Sequence, residues 1–503
     1  MNKMCSKKRI IIAVAFLVSV IFFVFADNAY PIPAGDSMFF LVPAVEFAKH
    51  GSLVNPIDPV GWPINRIIDP SGMKKFLFHP PLFQVVLRAL MPEASPEGAL
   101  LALSFINIAV IWLSALLFYK VAARRKELDW SMVGLIVLAF FALAASLTEV
   151  GRPETLARLW VVLGALTPFY ISKRYSWICF GVLLGLMFAT HAAAGVFSIF
   201  VLGLMFGIVF FFREIVIKGS AMLLVAFVVS LGGIAIGPYG IRETIEGTFV
   251  YATIIVHSIG QEGLKLFTSS NFLNHYIFSQ AAPFYGAAIL LLFVSGIFFW
   301  WKHRSRIASP TVTLICALAI AYLVGKIVYT IGHTYYITLF APVICLIFIR
   351  LFLETKAVGR GATIMVLALI TVGFARTALL FPFFIKQGQG LKEARAEVAK
   401  VIGSYETEDV VFGIGGGSGG GSWYFFDDYK RAYPYVLSQK PKEKTAFIFI
   451  QQRYSGMLAP PEVPGCVLEG DTFSKETPSV LGIKIGNTMP GYGYAAYNCI
   501  KKE

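Results

Sequence analysis

The sequence predicts a polytopic α-helical membrane protein of about eleven transmembrane helices, followed by a C-terminal extracytoplasmic α/β domain. Three observations predict it. The chain is 57% hydrophobic and only 14% charged, with a mean hydropathy of +0.71, far from the balance of a soluble domain. Apolar segments recur along it, many of them near the roughly 20 residues that span a hydrocarbon core as a helix. The turns between these segments alternate between rich in Lys and Arg and nearly free of them.

The first segment follows Lys3, Lys7, Lys8 and Arg9 and runs from Ile10 to Ala26. It resembles a signal peptide, but it lacks a small-residue cleavage site and many spans follow, so an uncleaved first helix is expected. Further spans are expected at 98–119, 131–148, 155–171, 176–190, 192–212, 220–238, 284–301, 311–330, 336–352 and 361–381. The inner turns then hold Lys120/Arg124/Arg125/Lys126, Lys173/Arg174, Arg213/Lys218, Lys302/Arg304/Arg306 and Arg350/Lys356/Arg360, whereas the short outer turns hold only Arg152. This bias puts the N-terminus in the cytoplasm and the tail outside, and an odd number of spans requires the same split. The outer loops contain no Asn-x-Ser/Thr sequon, which suits a bacterial inner (plasma) membrane. A formal charge of +14 suggests nucleic acid at first sight. The cations sit in short loops between spans, where they orient the protein, so no nucleic-acid partner is expected.

Three stretches lie outside on this reading. The loop 27–97 is rich in Pro and aromatics and carries two amphipathic pieces, Met38 to Lys49 and Pro81 to Leu90, of the kind that lies flat in the interface. A second loop covers roughly 239–283. The tail, 386–503, follows the transmembrane domain 1–385. It opens with a helical pattern from Leu391 to Ile402, then shows strand-like runs at Asp409 to Ile414 and Thr445 to Ile450. Alternating signals of this kind suit a small α/β domain. The glycine tract from Gly413 to Ser422 satisfies GxGxxG at Gly415, Gly417 and Gly420. No amphipathic helix follows it, and no Gly-Lys-Ser/Thr is present, so it reads as a linker-like loop rather than a nucleotide site.

The polar residues suited to chemistry gather on the outer side: Asp36, His79, Glu149, Arg152, Glu154, His191 and His333. Asp36 has two readings. At the outer face it is placed to act as a general base or a metal ligand; equally, it suits the N-cap of the segment beginning Ser37-Met38. In Glu149-Val-Gly-Arg-Pro-Glu154, Pro153 suits the first turn of the next helix and Glu154 its positive end. Glu154 and Arg158 are four apart on one face and suit mutual neutralisation. Lys326 and Arg376 lie in the outer halves of their spans, where each either snorkels to the interface or binds a lipid phosphate. His79, His191, His257 and His333 form no compact metal motif, so zinc would need assembly in space. Cys179, Cys316 and Cys345 fall within spans as small buried residues. Cys466 and Cys499 are placed to pair if the tail is extracytoplasmic.

A first apolar helix, then an outer loop opening with Asp36 and closing with His79-Pro-Pro-Leu-Phe83, resembles the GT-C superfamily of membrane glycosyltransferases. More narrowly it is similar to the branch of protein O-mannosyltransferases and lipid A aminoarabinose transferases. Arg152-Pro-Glu-Thr-Leu-Ala157 resembles that branch's Arg-Pro-Asp at the start of the fourth helix. His333-Thr-Tyr-Tyr336, with Pro342 six residues after the Tyr, resembles its Arg-Tyr motif, and the tail resembles the soluble domain that often follows. The likeness covers nearly the whole chain, in order.

The resemblance implies a fold, GT-C-like, and a reaction. A sugar leaves a polyprenyl-phosphate donor with inversion and passes to a lipid, glycan or protein acceptor at the extracytoplasmic face. Such chemistry needs a base for the acceptor and positive charge for the departing phosphate. Asp36 matches the family's catalytic Asp. Lys326 is the first choice for donor phosphate, followed by His79, Arg152, His333 and Arg376. Glu154, with Glu149 and Tyr335, is assigned to the acceptor side of the cavity. No cofactor is implied with certainty; the resemblance leaves room for a divalent metal. Three departures stand out: Ser37 replaces the second acidic residue, which weakens the case for a carboxylate pair or a metal held by one; Tyr335 replaces the Arg of Arg-Tyr, so Lys326 or Arg376 would have to supply that charge; Glu154 replaces Asp. The rival readings are a transporter or flippase of lipid-linked sugars, which usually shows internal repeats not seen here, and a non-catalytic binding paralogue.

Overall fold

The computed structural model describes residues 2–27, 36–54, 75–77, 79–122, 130–147, 152–192, 195, 212–249, 339–354, 410–414, 445–452, 462, 466–471, 479–480, 483–484 and 492–499. These residues are mostly helical. The helices are α1 (Asn2–Asp27), α2 (Asp36–His50), α3 (Leu82–Leu90), α4 (Pro96–Ala122), α5 (Trp130–Leu147), α6 (Glu154–Tyr170), α7 (Lys173–Thr190), α8 (Phe212–Ala235) and α9 (Ala341–Glu354), and residues 241–249 are also helical. Both amphipathic pieces expected in the first outer loop are helices, α2 and α3.

Two helices among the described residues, Pro96–Val121 and Ile217–Ala235, are long and apolar enough to cross a membrane by length and composition. That is fewer than the eleven spans expected. The expected spans at 284–301, 311–330 and 361–381, and nearly all of 192–212, lie outside the described residues.

The core is built by apolar stripes at helical spacing. Ile11, Ala15, Val18 and Phe22 on α1 recur every three or four residues and are buried, as one face of a helix must be. They join Ile111 and Phe118 of α4, Ile136 and Phe140 of α5, Val161 of α6 and Ile347 of α9 in one cluster. Helices α1 and α4 are antiparallel. The Ser104 hydroxyl donates to the Phe22 carbonyl at 3.3 Å, while Lys8 meets Tyr119 near the opposite ends of both helices.

Helices α7 and α8 run parallel and very close. A Cβ on Gly181 would lie 2.7 Å from the Met222 carbonyl oxygen, and one on Gly185 would lie 2.7 Å from Val229 Cβ. The small-xxx-small spacing on α7 lets the two backbones approach. The far side of α8 has no such cover. Ile217 is 77% exposed and Leu224 64% exposed, with Phe227 and Val228 beside them on the open side.

In the tail, a four-stranded mixed sheet has the order β1-β2-β6-β3, from β1 (Val410–Ile414), β2 (Thr445–Gln452), β3 (Val467–Asp471) and β6 (Tyr492–Cys499). A two-stranded ribbon joins β4 (Ser479–Val480) to β5 (Ile483–Lys484). Strands β1 and β2 coincide with the two strand-like runs in the sequence. They pair in parallel from Val410↔Ala446 to Ile414↔Ile450, a pairing that needs a crossover connection. No helix of the tail falls among the described residues, and both the helical pattern at 391–402 and the glycines at 415–420 lie outside them. Cys466 is disulfide-bonded. The antiparallel register Val467↔Asn498 brings Cys499 of β6 opposite it. Cys179 and Cys345 are free thiols, as their places in apolar helices predict.

Candidate functional site

The site is assembled where α6 begins, where α7 ends and where the chain enters α3. Pro153 precedes α6 with a helical backbone, φ −55° and ψ −25°, which its ring favours at a helix start. The Thr155 N–H donates to the Arg152 carbonyl at 3.0 Å, and the Leu156 N–H to that of Pro153 at 3.1 Å. This tight turn folds Arg152 back over the first residue of the helix. Its Nε donates to Glu154 Oε2 at 3.2 Å and its Nη2 to Oε1 at 3.1 Å. The pair is forked and buried, with side-chain exposures of 9% and 2%. A carboxylate at this place also meets the positive end of the α6 dipole. Among the described residues the partner of Glu154 is thus Arg152, two residues before it, and not Arg158, the i+4 partner that helical spacing suggested. Arg158 is itself fully buried one turn further along α6.

His79 is brought to this pair from a distant part of the chain. Its ring stacks on that of His191 with centroids 4.6 Å apart and planes 22° from parallel. Phe40 of α2 lies 5.0 Å from the His79 ring, and the Arg152 guanidinium sits over the Phe40 ring at 5.5 Å. Phe76 closes the same side, 6.3 Å from His79. His191 is the residue at which α7 stops, its N–H still donating to the Met187 carbonyl at 2.8 Å. Just before it, Thr190 accepts a hydrogen bond from Trp160 Nε1 at 3.1 Å, which ties the end of α7 to α6.

Burial holds the His79 imidazolium well below its ordinary acidity range. The neighbouring His191 and the Arg152 guanidinium push the same way, and Glu154 opposes them. The imidazole is therefore neutral at neutral pH and offers one donor and one acceptor.

The segment that carries His79 is held by residues 53–54 and by Tyr239 and Glu243. The Phe76 N–H donates to the Leu53 carbonyl at 2.8 Å, and Val54 and Lys75 form an antiparallel bridge. The Tyr239 hydroxyl donates to the same Leu53 carbonyl at 2.7 Å. Lys75 pairs with Glu243 at 2.5 Å and lies over the Tyr239 ring at 5.3 Å. Gly237 allows the close approach to Pro81, whose Cγ a Cβ there would meet at 2.6 Å.

The expected site residues divide into three sets. His79, Arg152 and Glu154 come together. Asp36 is the first residue of α2, one turn before Phe40. Glu149, Lys326, His333, Tyr335 and Arg376 lie outside the described residues. His191 stands out in the sequence as an outer polar residue between two spans, but nothing there links it to His79. Phe40 and Phe76 carry no local signal at all. Among the described residues no three His, Cys, Asp or Glu side chains converge as metal ligands. No family model, curated protein or solved structure matches the chain.

Proposed function

We propose that the chain is an integral-membrane glycosyltransferase that moves a sugar from a polyprenyl-phosphate donor to an acceptor at the extracytoplasmic face, with inversion. The observation that carries this reading is the meeting of His79, Arg152 and Glu154. Two separate motifs suggested them, and they lie in one buried cluster with His191. Asp36, at the head of the helix that supplies Phe40, takes the proton of the acceptor hydroxyl or amine as its nucleophile bonds to the anomeric carbon. The bond from that carbon to the donor phosphate breaks, and the phosphate leaves with the electron pair. Imidazole and guanidinium groups are the donors that such a leaving group needs. In the same reading Lys326, His333 and Arg376 add charge on the donor side, and Glu149, Glu154 and Tyr335 shape the acceptor side.

The membrane setting belongs to this proposal, with eleven spans, the N-terminus in the cytoplasm and an α/β tail outside a bacterial inner membrane. Support comes from the open apolar face of α8 and from exposed Phe16 and Leu17 on α1, surfaces that water disfavours and lipid tolerates. The disulfide at Cys466 supports an oxidising compartment for the tail.

The test is release of free polyprenyl phosphate by the purified protein in lipid, with a panel of polyprenyl-phosphate sugars and membrane extract as acceptor source. One donor is expected to be consumed. Asp36→Asn is expected to slow that step by about 10²–10⁴-fold, the range for loss of a general base, while donor binding persists. Binding of a donor with no turnover by the wild type would replace the enzyme with a binding or transport protein.

A further inference from the structure

The opposite end of the bundle carries a second group of cations, arranged in another way. Lys8 of α1 lies over the ring of Tyr119, near the end of α4, at 5.7 Å. The next residue, Lys120, lies over Tyr170 at the end of α6 at 4.8 Å. Arg174, in the first turn of α7, lies over Tyr175 at 5.5 Å. Lys8 and Lys120 thus join the ends of α1, α4 and α6 through cations seated on tyrosine rings, while Arg174 rests on its neighbour's ring at the start of α7, all within the range of a cation–π contact. Among the described residues neither Lys8 nor Lys120 meets a carboxylate. Around them, Trp130 is 63% exposed, and Tyr170, Ile171, Tyr175 and Ile178 are exposed too.

We propose that this end of the bundle is a binding surface for anionic phospholipid headgroups, with Lys8, Lys120 and Arg174 on the phosphates and the exposed aromatic and aliphatic side chains against the acyl chains. The inference rests on the membrane reading above. An ammonium on a ring face is held in place without its charge being cancelled, and it keeps donors for a phosphate oxygen. Exposed Trp and Tyr are the side chains that settle at headgroup depth. Basic pockets between helix ends on the cytoplasmic side are where acidic lipids collect. The exposed Ile171 and Ile178 favour a lipid over a free anion, because a dissolved phosphate gains nothing from apolar neighbours.

The full-length protein in detergent would be given tetraoleoyl cardiolipin or dioleoyl phosphatidylcholine, and retained lipid would be counted by native mass spectrometry. Wild type is expected to retain cardiolipin in preference to phosphatidylcholine. Lys8→Gln/Lys120→Gln is expected to lose roughly 25-fold of that preference, about fivefold for each surface cation removed. Lys8→Arg/Lys120→Arg is expected to keep it. Lys75→Gln, which removes one charge at the far end, is expected to leave it unchanged. Equal retention of the two lipids by wild type overturns the proposal. So does an equal loss in Lys75→Gln, or displacement of the cardiolipin by excess inorganic phosphate. Alkaline carbonate extraction of membranes separates the two levels. Release of the wild-type protein sinks the membrane reading and this proposal together, whereas retention without lipid preference sinks this proposal alone.

Discussion

The two ends of the helical bundle solve the problem of charge in opposite ways. Where α6 begins and α7 ends, Arg152 and Glu154 are buried and joined by two hydrogen bonds, with two stacked imidazoles beside them. Where α6 ends and α7 begins, Lys120 and Arg174 rest on tyrosine rings near the surface. A charge removed from solvent must meet its counter-charge inside the protein, because desolvation costs several kcal/mol per ion. A charge at the surface keeps its hydration, and a ring face is enough to hold it. The difference teaches how burial fixes polar geometry. Buried polar groups that must satisfy one another are held in a fixed geometry, whereas surface cations on rings present a field.

The largest test of that contrast is Glu154→Ala. It leaves Arg152 buried beside Phe40 without its carboxylate, and a loss of about 3–5 kcal/mol is expected in denaturant or thermal unfolding. Glu154→Gln keeps the shape and is expected to cost less. Lys120→Ala at the other end is expected to cost about 0.5–1 kcal/mol, as an exposed cation–π contact does. Equal costs at the two ends would break the comparison.

Between the ends, packing rather than charge sets the cost. Gly185→Ala puts a methyl group 2.5 Å from the Ala226 carbonyl oxygen, and an overpacking loss of about 1–3 kcal/mol is expected. A stabilised Gly185→Ala variant would show that α7 and α8 are not in such close contact.

Acidity sharpens the contrast further. The folded state holds the His79 pKa below its unfolded value, so below about pH 6.5 the unfolded chain binds more protons than the folded one. Stability is therefore full above that pH and falls as pH drops towards the folded pKa. Melting temperatures followed from pH 8 to pH 5 are expected to decline in the wild type, and the decline is expected to flatten in His79→Asn. A slope unaffected by His79→Asn would remove the site from the explanation.

The smallest effect is expected at the half-exposed pair of Lys75 and Glu243. Lys75→Gln is expected to change stability by about 0–1 kcal/mol, the range for surface ion pairs. A larger loss would mean that the segment carrying His79 depends on this one contact rather than on its backbone bonds to Leu53.

Much of this was legible in the sequence, and the reason is locality. Helical periodicity announced α2 and α3, which the structure places at Asp36–His50 and Leu82–Leu90. The strand-like runs became β1 and β2 with boundaries shifted by a residue or two. Pro153 and Glu154 marked the start of α6. Such signals depend on neighbours within one or two turns, and a linear chain displays those directly. His79 and Arg152 were also picked out, although only as members of separate motifs.

The choice of partners needed the folded chain. Spacing alone offered Arg158 to Glu154, yet the turn at Pro153 gives it Arg152. His191 looked like one outer histidine among several until the end of α7 set its ring on His79. Phe40 and Phe76 were ordinary apolar residues until α2 and the bridge at Val54 and Lys75 brought them around that ring. By itself the sequence determined an apolar, helix-rich chain with basic and nearly cation-free turns in alternation, because composition and periodicity are properties of short stretches. Only the tertiary structure decided which buried polar groups meet, because such contacts join residues whose separation along the chain carries no physical signal.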